Sequence, residues 1–188
     1  MRLFTGIALS PRVSDNLARA LKELRPLAPL NWSRVDNLHV TSKFIGEWPE
    51  DRLTELEETL ENLHSPGGFE ISVARFGYFP NPHHPRTLFA GVQAGLGLPE
   101  LAHKIDEILR PLGIARENRP YSPHLTLGRI KQEDIRALRE HIANMTNLDF
   151  GTFQVSEFHL YLSETGPSGS HYNILTTYPL SSVASTNA

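Results

Sequence analysis

The stretch NLHVTSKFIG, residues 37–46, has a second version in the same chain, PHLTLGRI, at residues 123–130. Each stretch contains a His-x-Thr triplet, which begins at His39 in the first and at His124 in the second. Both triplets alternate with apolar residues, a pattern typical of a half-buried strand. Because alternate side chains of a strand point the same way, we expect each histidine to stand beside its threonine on one face.

The two triplets belong to a longer internal repeat. Three pairs of motifs recur 84 or 85 positions apart: His39-x-Thr41 with His124-x-Thr126, Phe4-x-Gly6 with Phe89-x-Gly91, and Phe69-Glu-Ile-Ser with Phe153-Gln-Val-Ser. Three pairs in almost one register indicate a duplicated strand–helix–strand–helix–strand unit. Two such units bury their sheets best by packing about a pseudo-two-fold axis, which leaves a cleft between them.

The apolar periodicity predicts the elements of each unit. Strands are predicted at 2–9, 37–46, 69–76, 87–94, 122–130, 152–162 and 171–180. Helices are predicted at 13–25, 49–63, 99–110 and 132–144, and a Pro-rich loop at 79–86.

These elements predict an α+β fold: a bilobal, pseudo-two-fold duplication in which each lobe is a mainly antiparallel sheet with helices on its outer face. We expect one bilobal domain over residues 1–180, with the active-site cleft between the lobes. The approximate repeats are 1–80 and 86–163, residues 171–180 form a last strand, and 181–188 form a flexible tail.

Composition narrows the classes of function. The chain has 188 residues, a formal net charge of −3 and no cysteine, so disulfides and cysteine-based metal sites or nucleophiles are excluded. No apolar run approaches the ~18 residues that span a bilayer, and the N-terminus lacks a signal-peptide pattern. We expect a cytoplasmic monomer without a membrane or an obligate protein partner. A net negative charge argues against non-specific binding along nucleic acid, and it is compatible with binding one RNA end.

The His-x-Thr triplets are not decisive by themselves. With 9 histidines and 12 threonines in the chain, two triplets are not surprising, and one partly buried strand histidine in each lobe is the simpler interpretation. Their equivalent places in the duplicated unit favour a shared site. Two imidazoles suit in-line displacement at phosphorus, because one can be neutral and act as the base while the other is protonated and acts as the acid.

Hydroxyl and cationic groups are expected around the phosphoryl oxygens of such a site. Thr41 and Thr126 supply hydroxyls. Arg129 follows His124 by five residues and can reach the same phosphate from the end of the strand, although an exposed strand-end charge is the alternative.

These stretches resemble the two-histidine phosphoesterases, and within them the RNA 2′,3′-cyclic phosphodiesterases, also called 2′-5′ RNA ligases. The similarity runs from Arg2 to about Leu180 and includes Trp32 and the segments Leu160-Tyr-Leu-Ser163 and Gly169-x-His-Tyr172. It implies a bilobal fold with a central cleft. It also implies hydrolysis of a terminal ribose 2′,3′-cyclic phosphate to a 2′-phosphate with no metal and no other cofactor. Many members also join RNA ends without ATP through a 2′-5′ linkage.

The resemblance also implies the roles of individual residues. His39 and His124 become the acid–base pair, and the phosphate is held by Thr41, Thr126 and Arg129. We assign His39 as the acid that protonates O3′ and His124 as the base that activates water. The chain departs from the usual pattern at two positions. Ser42 stands where a Leu is common, and we expect it to face away from the cleft. Thr5 replaces an apolar residue, and we expect it near the cleft.

Further residues are weaker candidates. Phe4, Phe44 and Tyr121 can stack on the terminal base, or they can serve ordinary packing. Lys43 and Arg119 can steer the phosphate, or they can simply be solvated. His83-His84 makes a poor metal site, His159 and His171 are expected to be structural, and the loop 164–170 can close over substrate or merely connect two strands.

Other functions fit the same residues. One is a related cyclic phosphodiesterase that acts on 2′-5′ oligonucleotides or on ADP-ribose 1″,2″-cyclic phosphate. Another is a binder of RNA ends or nucleotides without turnover, although such a protein has little need of two titratable imidazoles.

Overall fold

Two antiparallel sheets form the frame of the protein. The computed structural model describes residues 1–131, 134–166 and 169–180. Within these ranges the strands are β1 (Arg2–Ala8), β2 (Asn31–Trp32), β3 (His39–Glu47), β4 (Phe69–Phe79), β5 (Thr87–Gln93), β6 (His124–Arg129), β7 (Asp149–Val155), β8 (Glu157–Gly166) and β9 (Gly169–Pro179). The α-helices there are α1 (Pro11–Leu24), α2 (Leu53–Glu61), α3 (Gly97–Leu109) and α4 (Arg136–Asn144).

The strand order separates the two histidines into different sheets. The first sheet has the order β3-β1-β8-β9 and the second β2-β6-β5-β4-β7, and neighbouring strands run antiparallel. His39 opens β3 and His124 opens β6. The predicted α+β class with mainly antiparallel sheets is confirmed.

The sheets do not follow the sequence halves, because the halves exchange strands. β2 and β4 come from the first half but lie in the second sheet, while β8 and β9 come from the second half and lie in the first. Phe69 therefore sits opposite Val155 on the adjoining strand, and the motifs that begin at Phe69 and Phe153 are neighbours in one sheet. Apolar alternation reports which face of a strand is buried, and it carries no information about which sheet the strand joins.

The single strand predicted at 152–162 is wrong. The chain forms β7 up to Val155 and starts β8 at Glu157. Between them, the exposed Ser156 accepts a hydrogen bond from the Leu180 amide at 2.8 Å through its carbonyl. The chain crosses from one sheet to the other there. Ser156 and Glu157 are exposed in succession between buried Val155 and Phe158, so the alternation breaks at the crossing.

Helix ends differ from the predictions for local reasons. α1 begins at Pro11 rather than at 13, because Ser10 caps it by accepting from the Val13 amide. The helix predicted at 49–63 is a 3₁₀ turn, Glu50–Arg52, followed by α2. α4 begins at Arg136, and residues 132 and 133 of the predicted helix lie outside the described residues. So do residues 167 and 168 of the loop 164–170 and the predicted tail 181–188.

The apolar core determines which way the histidines face. Leu3, Val40, Leu88, Leu125 and Leu160, which come from both sheets, are at most 1% exposed and belong to one cluster. Because Val40 and Leu125 separate histidine from threonine in the two triplets, the His and Thr side chains lie on the opposite, solvent-facing side. Within the described residues, no helix combines the length and the apolar character needed to cross a membrane.

Candidate active site

The two triplet histidines are held by the same hydrogen bond. Nδ1 of His39 lies 2.7 Å from the carbonyl oxygen of Asn37, and Nδ1 of His124 lies 2.8 Å from that of Ser122. A carbonyl only accepts, so Nδ1 carries the proton in both rings and Nε2 is left for chemistry. In each ring the partner is two residues upstream, which fixes the tautomer and the ring orientation.

His39 also contacts the threonine of its own triplet. Its Nε2 lies 3.0 Å from Oγ1 of Thr41, as expected for side chains two residues apart on a strand face. When His39 is neutral, the threonine hydroxyl donates this bond; when His39 is protonated, the imidazolium donates it. Within the described residues, no corresponding bond joins His124 to Thr126.

Aromatic rings enclose His39. Phe4 stacks on it at 4.5 Å between ring centroids, Tyr172 meets it edge-on at 5.1 Å, and Tyr161 lies at 5.6 Å. The pKa of His39 is lowered to about 4, mainly by burial among these rings; the hydrogen bond to the Asn37 carbonyl opposes this effect, and the charge of the nearby His124 adds to it. His39 is therefore neutral in the free protein near pH 7.

Rings also pack against His124, but more loosely. Phe79 and Phe89 meet it edge-on at 4.9 and 5.6 Å, and they stack on each other at 4.2 Å. Sequence reasoning assigned no site role to these two residues, nor to Tyr161 and Tyr172. Their positions depend on the pairing of β4 with β5 and of β8 with both β1 and β9, and sequence patterns do not specify that pairing.

A β-bulge brings Arg129 to the histidine face of β6. In a regular strand, residue 129 and His124 point to opposite sides, because they are five positions apart. The ladder between β5 and β6 skips a residue at Leu127, and Leu127 and Gly128 are buried in succession. The alternation shifts by one, which accords with the exposed side chain of Arg129.

β3 has the same bulge and a different residue at its end. The ladder with β1 skips Ser42, and the burial pattern from His39 to Phe44 is identical to that from His124 to Arg129. Phe44 thus occupies the position in the first sheet that Arg129 occupies in the second, and it is 67% exposed. At equivalent positions of the two triplet strands, β3 therefore carries an aromatic ring and β6 carries a cation.

A cavity of about 890 Å³ opens beside the triplets. Its wall includes Thr41, His124, Phe44 and Tyr121, whereas His39, Thr126 and Arg129 stand outside its lining. His39 adjoins this cavity through its contact with Thr41, and it borders a smaller cavity of about 200 Å³ on its other side. The main cavity is therefore offset from the predicted phosphate site.

Lys43 and Arg119 differ in their surroundings. Lys43 is 7% exposed, and its ammonium donates to the carboxylate of Asp106 and, at 2.6 Å, to the Ala115 carbonyl. This buried ion pair occupies Lys43, so neither role expected for it, a solvated charge or a phosphate-steering one, applies. Arg119 lines the cavity and pairs with Glu117, and this hydrogen bond lowers the pKa of Glu117 to about 2.

The three candidate base contacts are also placed differently. Phe4 is only 3% exposed and packs on His39, which argues against the nucleoside contact predicted for it. Phe44 and Tyr121 border the main cavity. The hydroxyl of Tyr121 is already used, because it donates to the Thr41 carbonyl at 2.7 Å, and burial raises the pKa of this hydroxyl.

Two more cations, Arg86 and Arg116, lie in this cavity and were missed. Arg86 lines the wall next to Thr87 and His124. Across the described residues, no carboxylate lies within ion-pair distance of Arg86 or Arg129. In the sequence, Arg86 stands at the end of the Pro-rich loop, where no pattern indicates a role. The hydrogen bond from the Ile130 amide to its carbonyl, which brings it beside the end of β6, is a tertiary contact.

His83, His84 and His159 are not part of the cavity lining, whereas His103 is. Nδ1 of His159 lies 2.9 Å from Oγ1 of Thr177 on the next strand, in agreement with a structural role. The amides of His83 and His84 donate to Asn81, and both side chains are exposed.

Comparison with known proteins decides the family. The profile of the family described as LigT like Phosphoesterase matches residues 7–89 and 93–172. The chain belongs to this family. Its relatives include an RNA 2′,3′-cyclic phosphodiesterase of Archaeoglobus fulgidus, 32% identical over 95% of this chain and 99% of that protein. A Thermus thermophilus protein of the same name is 33% identical over 96% of this chain and 90% of its own.

Solved structures of this family share the fold. A crystal structure of a protein of Thermus thermophilus matches with a TM-score of 0.83 at 29% identity, covering 97% of this chain and 100% of that one. Escherichia coli LigT complexed with 3′-AMP matches with a TM-score of 0.77 at 26% identity, covering 96% and 98%. The resemblance inferred from the sequence motifs is confirmed.

Proposed function

We propose that the chain is an RNA 2′,3′-cyclic phosphodiesterase, which opens the cyclic phosphate at the end of an RNA or of a nucleoside and leaves a 2′-phosphate. One observation carries the proposal. The Nδ1 atoms of His39 and His124 are anchored in the same way, which leaves two Nε2 atoms for proton transfer, and the charge of His124 lowers the pKa of His39. The names of the relatives support the substrate class.

The reaction needs one base and one acid. A water oxygen attacks phosphorus while one imidazole takes the water proton. The P–O3′ bond breaks, and the other imidazole gives its proton to O3′, so that the products are a 2′-phosphomonoester and a 3′-hydroxyl. Thr41, Thr126 and Arg129 hold the phosphoryl oxygens, and no metal is required. Joining, in which an RNA 5′-hydroxyl replaces water, stays a prediction from the resemblance.

The division of labour depends on the charge of His39. Assigning it as the acid at O3′ requires a protonated ring, whereas the free protein holds its pKa at about 4. A bound phosphate anion raises this pKa, because an opposite charge favours the imidazolium. Under this assignment, substrate binding itself protonates His39, and His124 serves as the base.

The activity test uses purified protein in EDTA with nucleoside 2′,3′-cyclic monophosphates and identifies the product by phosphorus NMR. We expect a 2′-phosphate as the product. His39→Ala and His124→Ala each lose about 10²–10⁴-fold in rate, since an acid or a base typically contributes that much. Thr41→Val retains more activity than either, because it removes a hydrogen bond and not a proton carrier.

His84→Ala is the matched control, because His84 is an exposed loop histidine away from the cavity. A loss of only a few-fold in both triplet variants contradicts the acid–base roles. Activity that EDTA abolishes and a divalent metal restores contradicts metal independence.

A further inference from the structure

The main cavity extends well beyond the two catalytic strands. It begins at Thr41 and His124, and its far wall is built from α3 and from the segment 116–120. Its volume of about 890 Å³ lies near the top of the roughly 300–1,000 Å³ range of small-molecule sites. Thr126 and Arg129, which are assigned to the reacting phosphate, are outside its lining. Most of the cavity is therefore available to the part of the substrate that lies beyond that phosphate.

The cavity is more positive than the rest of the protein. Its lining contains four lysines and arginines against two carboxylates, although the whole chain has a formal net charge of −3. The cations are Lys43, Arg86, Arg116 and Arg119, and the carboxylates are Asp106 and Glu117. A concave wall with an excess of one charge concentrates ligands of the opposite sign, so the excess of two cations favours an anionic ligand.

The far wall offers donors that are free to bind such a ligand. The side chain of Arg119 is 85% exposed and uses two of its five N–H donors on Glu117, at 3.1 and 3.2 Å. His103 projects from α3 at the same wall and is exposed. Arg116 is less available, because it pairs with Glu107 at 2.8 Å and lies 3.6 Å from Asp106.

Apolar side chains share the cavity wall with these donors. Ala102 lies on α3 next to His103, Pro120 and Tyr121 follow Arg119 in the chain, and Phe79 with Pro80 lines the wall at the end of β4. Flat apolar surface interrupted by cations suits single-stranded nucleic acid, because the bases stack on the apolar groups and the backbone meets the cations.

We propose that the α3 wall, defined as His103 on α3 together with Arg116, Arg119 and Pro120, is a subsite for the nucleotide on the 5′ side of the cyclic phosphate. Arg119 and His103 contact the phosphodiester that precedes the terminal nucleoside. The proposal rests on the proposed function and adds the substrate class to it. An RNA of two or more nucleotides fills the subsite, and a mononucleoside cyclic phosphate leaves it empty.

The test compares two probes, uridine 2′,3′-cyclic monophosphate and a tetrauridylate that ends in a 2′,3′-cyclic phosphate. The variants are Arg119→Ala, His103→Ala and their combination. Arg136→Ala is the matched control, because Arg136 is 86% exposed and pairs with Asp134 two residues upstream, as Arg119 pairs with Glu117. Exposed ion pairs contribute little to stability, so thermal melting should be unchanged in all four variants.

Wild-type protein should use the tetrauridylate with the higher kcat/KM. Arg119→Ala should lower that kcat/KM by about threefold to tenfold, mainly through KM, and change the value for the mononucleotide by less than about twofold. For the tetrauridylate, the slope of log kcat/KM against log salt should fall by about 0.7 for the lost phosphate contact.

Two outcomes overturn the subsite alone. One is an equal loss on both probes, and the other is a loss in Arg136→Ala as large as in Arg119→Ala. A wild-type protein that opens the mononucleotide and the tetrauridylate equally well, at every salt concentration, also overturns it while the proposed function stands. If wild-type protein opens neither probe, the proposed function fails together with the subsite.

Discussion

The hydroxyl of Tyr121 donates a hydrogen bond to the backbone carbonyl of Thr41, 2.7 Å away. This contact joins the segment that leads into β6 to the strand that carries the other histidine. The next residue, Ser122, supplies the carbonyl that orients His124. The two histidines lie in different sheets, so their relative position depends on contacts between the sheets, which include the shared core and this hydrogen bond.

We therefore expect Tyr121→Phe to reduce activity without abolishing it. A single hydrogen bond contributes about 0.5–1.5 kcal/mol, so kcat/KM on a nucleoside 2′,3′-cyclic phosphate should fall by roughly twofold to tenfold. Tyr78→Phe is the control, because within the described residues the buried Tyr78 hydroxyl has no hydrogen-bond partner. Steady-state kinetics of both variants checks this, and equal rates in Tyr121→Phe and wild type contradict the bridging role.

The low pKa of His39 predicts how stability depends on pH. In the unfolded chain this ring is protonated below about pH 6.5, whereas in the folded protein it is protonated only below about pH 4. The unfolding free energy should therefore fall as pH drops through this window, by at most about 3 kcal/mol from His39. Above pH 6.5 the contribution is fully present.

His39→Gln isolates this contribution, because glutamine does not titrate. Urea unfolding between pH 7.5 and 4.5 should show a smaller loss of stability in His39→Gln than in wild type, while His84→Gln behaves as wild type. Parallel curves for wild type and His39→Gln rule out the shifted pKa. Addition of a 2′-nucleotide should raise the pH at which the His39 ring titrates by NMR.

Thr5 and Ser42, the two departures from the usual pattern, are hydrogen-bonded to each other. Their hydroxyl oxygens lie 2.7 Å apart and are buried, so Thr5 faces Ser42 in the interior and not the cleft as expected. Thr5→Val and Ser42→Ala should each destabilise the protein by about 1–3 kcal/mol, because each leaves a buried hydroxyl unpaired. The double variant should cost clearly less than the two single costs together. Urea unfolding of the two single variants and the double variant gives a double-mutant cycle. Single costs that add to the double cost within about 0.3–0.5 kcal/mol contradict a coupling between Thr5 and Ser42.

Gly6 is required by the packing of His39. A Cβ at this position would lie 2.9 Å from the Val40 carbonyl oxygen and 3.3 Å from Cδ2 of His39. Gly6→Ala should therefore displace the ring, lower stability by about 1–3 kcal/mol and reduce kcat. Gly166→Ala is the matched strand control, since its nearest neighbour would be 3.7 Å away. Steady-state kinetics and thermal melting of Gly6→Ala and Gly166→Ala test this requirement. Wild-type activity and stability in Gly6→Ala would contradict it.

Much of the site was accessible from the sequence because it is local. His39 and Thr41 share a face through strand periodicity alone, and the matching offset of His124 and Thr126 marked them as a second copy. Arg129 was assigned to the phosphate, but strand periodicity alone points it to the wrong side. A bulge at Leu127 shifts the alternation by one residue and turns Arg129 to the histidine face. The alternation of apolar residues in the sequence does not predict this bulge.

The sequence by itself determined the elements that face the core and the residue types that carry the chemistry, because both follow from short-range periodicity and from spacing within one strand. Tertiary structure alone decided which strands share a sheet, which rings surround His39 and lower its pKa, and how α3 extends the cavity beyond the triplets. Each of these depends on contacts between residues far apart in the chain. The His-x-Thr strands could thus be predicted from the sequence, whereas their joint geometry required the exchange of β2 and β4 with β8 and β9 between the sheets.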